Sequence, residues 1–201
     1  MRGAYMRFLI IATLIFVCAI SNAKAETKTT IFLGAPVSGS LDKFVSTLEQ
    51  QGFYSDEDLG RLSLVGDFLG RTVALYPFVN TKNELWKVNI IFLGEYSAEQ
   101  VVEEYNKIYT LFVENNNYKL NSGSILTPIH KYNGSIIDQF VESSIIATNP
   151  ATFYQKSKND ESINDMSLIK IWIAPSLSMN NKYNIIAAYE NHANKPQRPD
   201  F

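Results

Sequence analysis

The sequence predicts an α+β fold, with one mostly antiparallel sheet of five or six strands and two helices packed on one face of that sheet. Two segments repeat apolar residues at helical spacing, and several others alternate apolar and polar residues as half-buried strands do. No internal repeat or low-complexity linker divides the chain. We therefore expect one domain over residues 26–190, after a signal peptide at residues 1–25 and before a flexible polar tail at residues 191–201.

The first 25 residues have the pattern of a secretory signal peptide. Arg2 and Arg7 precede an uncharged apolar run, and Ala23 and Ala25 provide the small-x-small pattern that a signal peptidase recognises. The apolar run is shorter than the roughly 20 residues of a membrane-spanning helix, which makes a retained anchor the weaker alternative. We expect cleavage after Ala25, export to the periplasm or the medium, and no transmembrane segment in the mature chain.

Cleavage would change the charge and the cysteine content of the protein. It removes three basic residues and no acidic one, which takes the formal net charge from −2 to −5, and it removes Cys18, the only cysteine. An acidic chain without a basic run is a poor candidate for binding nucleic acid or an anionic membrane. An exported domain without disulfides depends on its hydrophobic core, and the absence of disulfides favours a bacterial envelope over a eukaryotic secretory route.

Both helices have recognisable ends. The first begins after Ser40 and places Leu41, Phe44, Val45 and Leu48 on one face, and Gly52 stands where a left-handed residue would end it. The second begins with a capping box, in which Ser97 is followed three residues later by Gln100. Its apolar stripe consists of Val101, Tyr105, Ile108, Tyr109 and Phe112.

The strand pattern is clearest in residues 86–92. Trp86, Val88, Ile90 and Phe92 alternate with more polar residues, and we expect these four side chains to point into the core. A short β-type run at residues 29–33 precedes strands predicted at 62–68 and 72–79, and later strands are predicted at 169–173 and 183–189, with 151–156 as the sixth where six are counted. Pro77 indicates an edge or a bulge, and residues 117–149 give no clear prediction.

The glycine-rich stretch GAPVSGSLDKF, residues 34–44, resembles a phosphate-binding loop but lacks its working groups. Ser40 and Leu41 occupy the lysine and hydroxyl positions of the motif. The same stretch contains S-x-x-K at Ser40 and Lys43, the nucleophile motif of penicillin-recognising enzymes, without its companion motifs. S-x-x-K recurs by chance in a predicted strand at Ser167 and Lys170. We therefore interpret Ser40 as a helix cap and not as a nucleophile.

No other group of residues predicts catalysis or metal binding. His130 and His192 lack an acidic or cysteine partner at ligand spacing, and Asp56 begins an acidic turn that departs from a calcium loop. Glu103 and Glu104 are adjacent on the second helix and diverge. The prediction is no catalytic residue, no cofactor-binding residue, no metal ligand and no cofactor.

Several segments together resemble small exported α+β proteins of the Bacteroides group. The resemblance rests on FLGAPVSGSLDKFVSTLEQQGF, LVGDFLGRTVALYP and LWKVNIIF, followed by a capped helix with Tyr105 and Tyr109. It includes an F-x-G-x-P-[VI]-x-G opening and covers residues 31–189, nearly the whole mature chain. These motifs are structural, and the resemblance implies no activity and no functional residue.

The function that these observations favour is a non-catalytic binding module of the bacterial envelope. Tyrosine-rich strands leave aromatic side chains for an outer sheet face, which would bind an unknown protein, peptide or glycan. The alternatives are a small envelope hydrolase with an unrecognised site and an inhibitor of an envelope or secreted enzyme. We expect neither a nucleic-acid partner nor an enzymatic activity.

Overall fold

The structure, a computed structural model, describes residues 29–56, 63–126, 150–157, 163–176, 179 and 182–196. The predicted signal peptide lies outside these residues. Within the described ranges, none of the helices combines the length and the apolar character that crossing a membrane requires.

The described chain contains ten strands, two α-helices and a short 3-10 helix. The helices are α1 at Leu41–Glu49 and α2 at Ala98–Glu114. The strands are β1 at Ile31–Phe32, β2 at Ala35–Pro36, β3 at Tyr54–Ser55, β4 at Leu64–Phe68, β5 at Arg71–Val79, β6 at Leu85–Tyr96, β7 at Tyr118–Ser122, β8 at Ala151–Lys156, β9 at Ile163–Pro175 and β10 at Tyr183–Asn191. The 3-10 helix is His192–Asn194.

Eight of the strands form one antiparallel sheet in the order β3-β4-β5-β6-β10-β9-β8-β7, and β1 and β2 form a separate hairpin. The α+β class is confirmed, but the prediction of five or six strands is wrong. The strands at the two ends, β3 and β7, account for much of the difference. Both residues of β3 are exposed, and β7 buries only part of Tyr118, so neither has the apolar alternation that predicts a strand.

The opening stretch of the domain is a tight hairpin. Leu33 and Gly34 connect β1 to β2 with φ angles of 46° and 77°, as a two-residue type I′ turn requires. The side-chain amide of Gln155 then holds β1 in place, because it accepts a hydrogen bond from the Ile31 amide at 2.8 Å and donates one to the Ile31 carbonyl at 2.9 Å. One side chain of β8 therefore pairs with β1 as a neighbouring strand would.

Helix α1 begins and ends where its sequence predicts. Gly52 has a φ of 92°, and the Phe53 amide donates to the Leu48 carbonyl at 3.1 Å. Ser40 occupies the N-cap position, but its side chain makes no capping hydrogen bond. The predicted N-cap position of Ser40 is confirmed, without the hydrogen bond that a capping hydroxyl would make. The backbone of Ser40 instead forms a bridge to Glu84.

Helix α2 follows its sequence pattern closely. The Ser97 side chain accepts from the Gln100 amide and the Gln100 side chain accepts from the Ser97 amide, which confirms the capping box. All five residues of the predicted stripe are buried, and Phe112 packs against Phe153 of β8 and Tyr189 of β10 at ring-centroid distances of 5.4 and 6.5 Å. Buried side chains of both helices belong to the same hydrophobic cluster as alternate residues of the strands.

Strand β6 confirms three of its four predicted core residues. Val88, Ile90 and Phe92 are fully buried, whereas Trp86 is only half-buried. The reason is a bulge, since Phe78 of β5 pairs with Lys87 and the next residue, Val79, pairs with Leu85. Trp86 is the extra residue, and Leu85 takes its expected place in the core.

The end of β10 belongs to the packed structure. Asn191 is buried, and its side chain donates to the Val37 carbonyl at 3.0 Å. The following 3-10 helix is tied to the sheet by Asn194, whose side chain donates to the Leu85 carbonyl at 3.3 Å. The segment assigned to a polar tail from residue 191 thus includes residues that pack against β6 and against the N-terminal hairpin.

Candidate binding surface

The sheet has a second face, opposite the hydrophobic core, which we call the outer face. Its residues alternate along each strand with core residues, and the strand register aligns them in three rows of six. The apolar row is Tyr54, Val65, Ala74, Ile91, Ile186 and Trp172. The middle row is Tyr76, Asn89, Ala188, Lys170, Thr152 and Ser122. The charged row is Phe78, Lys87, Glu190, Leu168, Tyr154 and Lys119.

The three rows form a broad and nearly continuous surface. With strands about 4.8 Å apart, a row across six strands extends about 24 Å, and successive rows are about 7 Å apart. Ala74 and Ala188 are fully buried between larger neighbours, whereas Tyr54, Phe78 and Leu93 expose 58%, 36% and 45% of their surface on this side. The outer face is therefore recessed around its small alanine side chains, and the larger exposed side chains project beyond them.

A buried carboxylate organises the charged row. Lys170 donates to both carboxylate oxygens of Glu190 at 3.0 Å, and the Lys87 ammonium lies 3.5 Å from one of them. Nε2 of His192 lies 3.1 Å from the other. Glu190 has only 5% of its side chain exposed, while the two lysines keep 22% and 31%. The positive groups are thus closer to solvent than the negative one.

The pKa of Glu190 is the outcome of opposing effects. Burial raises it, but hydrogen bonds from Lys170 and His192, together with the charges of Lys170 and Lys87, outweigh burial and place the pKa below its ordinary value. Glu190 is therefore ionised at neutral pH and neutralises part of the lysine charge around it.

Aromatic rings flank these cations. The Lys87 ammonium lies 5.8 Å from the ring centroids of both Phe78 and Trp86, within the range of a cation–π contact. At the other end of the charged row, Lys119 on the terminal strand β7 is exposed and pairs in register with Tyr154. Each end of this row thus places a lysine beside an aromatic residue.

The middle row contains an unsatisfied polar group. The side-chain oxygen of Asn89 is buried and has no hydrogen-bond partner among the described residues. Asn89 pairs with Tyr76 on one side and with Ala188 on the other, at the centre of the outer face. Asparagine is a poor strand former, so neither strand propensity nor hydrogen bonding accounts for its place here.

The S-x-x-K residues are not assembled into a catalytic pair. Ser40 and Lys43 lie at the start of α1, where Lys43 is exposed and its carbonyl accepts from Thr47. In the second copy of the motif, Ser167 is buried on the core side of β9, and Lys170 faces outward. Two residues that are three positions apart along a strand point their side chains to opposite faces of the sheet, so Ser167 and Lys170 cannot meet.

The remaining sequence candidates are only partly described. His130 and residues 57–58 of the acidic turn lie outside the described residues. His192 was expected to lack an acidic partner, and this is wrong, because its ring contacts Glu190 two residues earlier. Glu104 forms an ion pair with Arg71, which ties α2 to the start of β5, and another with Lys107 of α2 itself at 3.2 Å. Among the described residues, no three His, Cys, Asp or Glu side chains are grouped to hold a metal ion.

Comparison with protein-family models, with curated proteins and with solved structures finds no match to this chain.

The sequence contained part of the information for the outer face. In the strand predicted at residues 169–173, three isoleucines alternate with Lys170 and Trp172, and the structure places those isoleucines in the core. The grouping of Lys87, Lys170 and Glu190 could not be read from the sequence. It depends on β10 lying between β6 and β9, and a periodic pattern does not specify which strands are neighbours.

Proposed function

We propose that this protein is a non-catalytic binding module and that the outer face is its binding surface. The observation that supports this most strongly is the composition of the three rows. Five of their eighteen residues are aromatic, and two of these, Phe78 and Tyr154, pair in register with lysines on a surface about 24 Å long. Tyrosine and tryptophan supply large contact areas at a low cost in side-chain entropy.

Asn89 adds independent support. A buried polar atom without a partner lowers stability, and native proteins keep such groups at functional sites among other places. The Ser167 hydroxyl on the core side of β9 is a second such atom among the described residues. Asn89 lies at the centre of the outer face, where a hydrogen bond from a bound ligand would offset the stability lost to its unpaired oxygen.

Export is part of the proposal. The pattern of residues 1–25 and the resemblance to exported proteins of the Bacteroides group both favour a mature chain that begins at Glu26. N-terminal sequencing of the protein recovered from the medium or the periplasm tests this. A chain that retains Met1, or that remains in the cytoplasm, contradicts it.

An array of glycans, peptides and proteins, probed with the labelled protein, tests the binding role. The decisive comparison is between two double variants that each remove two exposed apolar side chains. Phe78→Ser with Leu93→Ser alters the outer face, where exposure is 36% and 45%, and Leu111→Ser with Val113→Ser alters α2, where it is 38% and 48%.

We expect the outer-face variant to lose array binding and the α2 variant to retain it, with both melting cooperatively. Loss of binding in the α2 variant alone would place the binding surface elsewhere. Turnover of an array substrate by the purified protein would favour the hydrolase alternative.

A further inference from the structure

We propose that the ligand of the outer face is an extended acidic polysaccharide, a sugar polymer with carboxylate groups along its length. This inference rests on the proposed function and adds the chemical class of the ligand. It is argued from the charge of the outer face, the spacing of its cations and the aromatic residues beside them.

The three rows of the outer face have the opposite charge to the chain as a whole. They contain Lys87, Lys119 and Lys170 against the single acid Glu190, whereas the chain has a formal net charge of −2. Two further acids, Asp67 and Glu95, lie on the same face beyond the apolar row. The helices on the core side are acidic, since α2 contains four glutamates and one lysine. A net positive surface on an acidic protein selects an anionic ligand and steers it to that surface.

The cations are spaced for a polymer and not for a single anion. Lys87 and Lys170 flank one carboxylate, and Lys119 lies in the same row three strands from Glu190, a distance of about 14 Å. Glu190 fills the gap between Lys87 and Lys170, so a ligand carboxylate would meet the solvent-exposed side of these two ammonium groups. A chain with repeated carboxylates can contact both groups of cations at once.

The aromatic residues indicate sugar rings between those charges. Tyr154 lies beside Lys119, and Phe78 and Trp86 lie beside Lys87, so two of the three lysines have an aromatic neighbour. The C–H faces of a sugar ring pack on aromatic faces, and its carboxylate reaches the adjacent ammonium group.

A folded protein partner fits this surface less well. Lysine is depleted from the centres of protein interfaces, because burying an ammonium group under a dry contact is costly. Here Lys87 and Lys170 lie on β6 and β9, the inner strands on either side of β10. A polysaccharide remains hydrated and leaves these ammonium groups partly in water.

The two tryptophans of the chain provide a direct measurement, because Trp172 lies in the apolar row and Trp86 beside Lys87. The protein is titrated with polygalacturonate while tryptophan fluorescence is recorded, with neutral dextran and poly-L-glutamate as the comparison polymers. We expect a saturable change with polygalacturonate that weakens as salt is added, and no change with dextran. Poly-L-glutamate, which has carboxylates without sugar rings, should bind at least about tenfold more weakly.

Two matched charge reversals locate the site. Lys119→Glu on β7 and Lys43→Glu on α1 replace exposed lysines and change the net charge equally. We expect Lys119→Glu to weaken polygalacturonate binding about tenfold and Lys43→Glu by less than about twofold, since the latter acts only through screened long-range charge.

The other outcomes overturn the inference in distinguishable ways. Equal weakening by both reversals, or equal binding of poly-L-glutamate, would show non-specific attraction of a polyanion. No response to polygalacturonate, together with array binding that depends on Phe78 and Leu93, would reject the acidic sugar and leave the binding module in place. If polygalacturonate gives no response and the protein binds nothing on the array, the inference and the proposed function are both rejected.

Discussion

Single residues of the outer face connect stability with binding, and Glu190 is the clearest example. Its backbone carbonyl accepts from the Thr30 hydroxyl at 3.0 Å, while its carboxylate contacts Lys170, Lys87 and His192. One residue thus joins the N-terminal segment, three strands and the 3-10 helix. Replacing it changes both the packing of the sheet and the charge of its surface.

Glu190→Gln should lower the free energy of unfolding at pH 7 by about 1–3 kcal/mol, because it weakens the pairing of two half-buried lysines. The folded pKa of Glu190 is depressed, so its stabilising contribution is present above the unfolded glutamate pKa of about 4.3 and is lost as the pH falls through the lower folded value. Urea unfolding at pH 7 and at pH 3 measures this. A difference between the two proteins that persists undiminished at pH 3 would contradict the prediction.

Asn89 gives the opposite prediction for stability. Asn89→Val removes an unsatisfied buried oxygen and introduces a residue that favours strands, and it should stabilise the fold by about 1 kcal/mol. If the outer face binds a ligand, the same change should not improve binding. Thermal melts compared with those of Asn89→Thr, which keeps a polar group, show whether the gain comes from removing the unsatisfied amide.

At the scale of single elements, one tripeptide shows the limits of local sequence. Phe-Leu-Gly occurs at residues 32–34, 68–70 and 92–94. In the first two copies the leucine and glycine form two-residue turns with positive φ, and in the third they continue strand β6. The phenylalanine is buried in all three copies. The surrounding pattern, and not the tripeptide, selects the conformation.

These copies allow a matched test of backbone strain. Leu33 has a φ of 46°, which asparagine tolerates better than leucine, so Leu33→Asn should stabilise the protein by about 0.5–1 kcal/mol. Leu93 has similar exposure but lies in a strand, where asparagine is unfavourable, so Leu93→Asn should destabilise it by a similar amount. Denaturant unfolding measures both variants. If Leu33→Asn and Leu93→Asn change the free energy of unfolding in the same direction, the prediction is wrong.

The helices and the long strands could be predicted because each has enough residues to show a period. The capping box of α2, the left-handed Gly52 and the core side of β6 follow from such local patterns. The short exposed strand β3, the polar edge strand β7 and the bulge at Trp86 could not be predicted. They depend on what lies beside them, and the sequence pattern contains no information about strand neighbours.

At the scale of the whole molecule, β10 determines how the two parts of the sheet are joined. It is the last strand in the described sequence, yet it lies between β6 and β9 near the middle of the sheet. Both of its sides are fully paired, over Tyr183–Glu190 with β6 and Tyr183–Asn191 with β9. The strands before α2 and those after it are therefore connected in the sheet only through β10.

A chain that ends at Lys182 should fail to fold, because it loses the strand that joins the two parts of the sheet and exposes the core side of both. The stabilising free energy lost with β10 exceeds the 5–15 kcal/mol by which the folded state of most domains is favoured over the unfolded state. Addition of a peptide of residues 183–196 should restore a cooperative melt measured by circular dichroism. A truncated chain that melts cooperatively without the peptide would contradict this role of β10.

The position of β10 also has a consequence for the time at which the protein becomes folded during synthesis. A ribosome makes β10 after every other strand of the sheet, and its residues are still inside the exit tunnel when β3 to β9 have emerged. Because contacts between distant parts of a chain form slowly, the nascent polypeptide cannot complete this sheet before β10 has left the ribosome. A polypeptide in that state can still be threaded through a narrow membrane pore, whereas a completed sheet cannot.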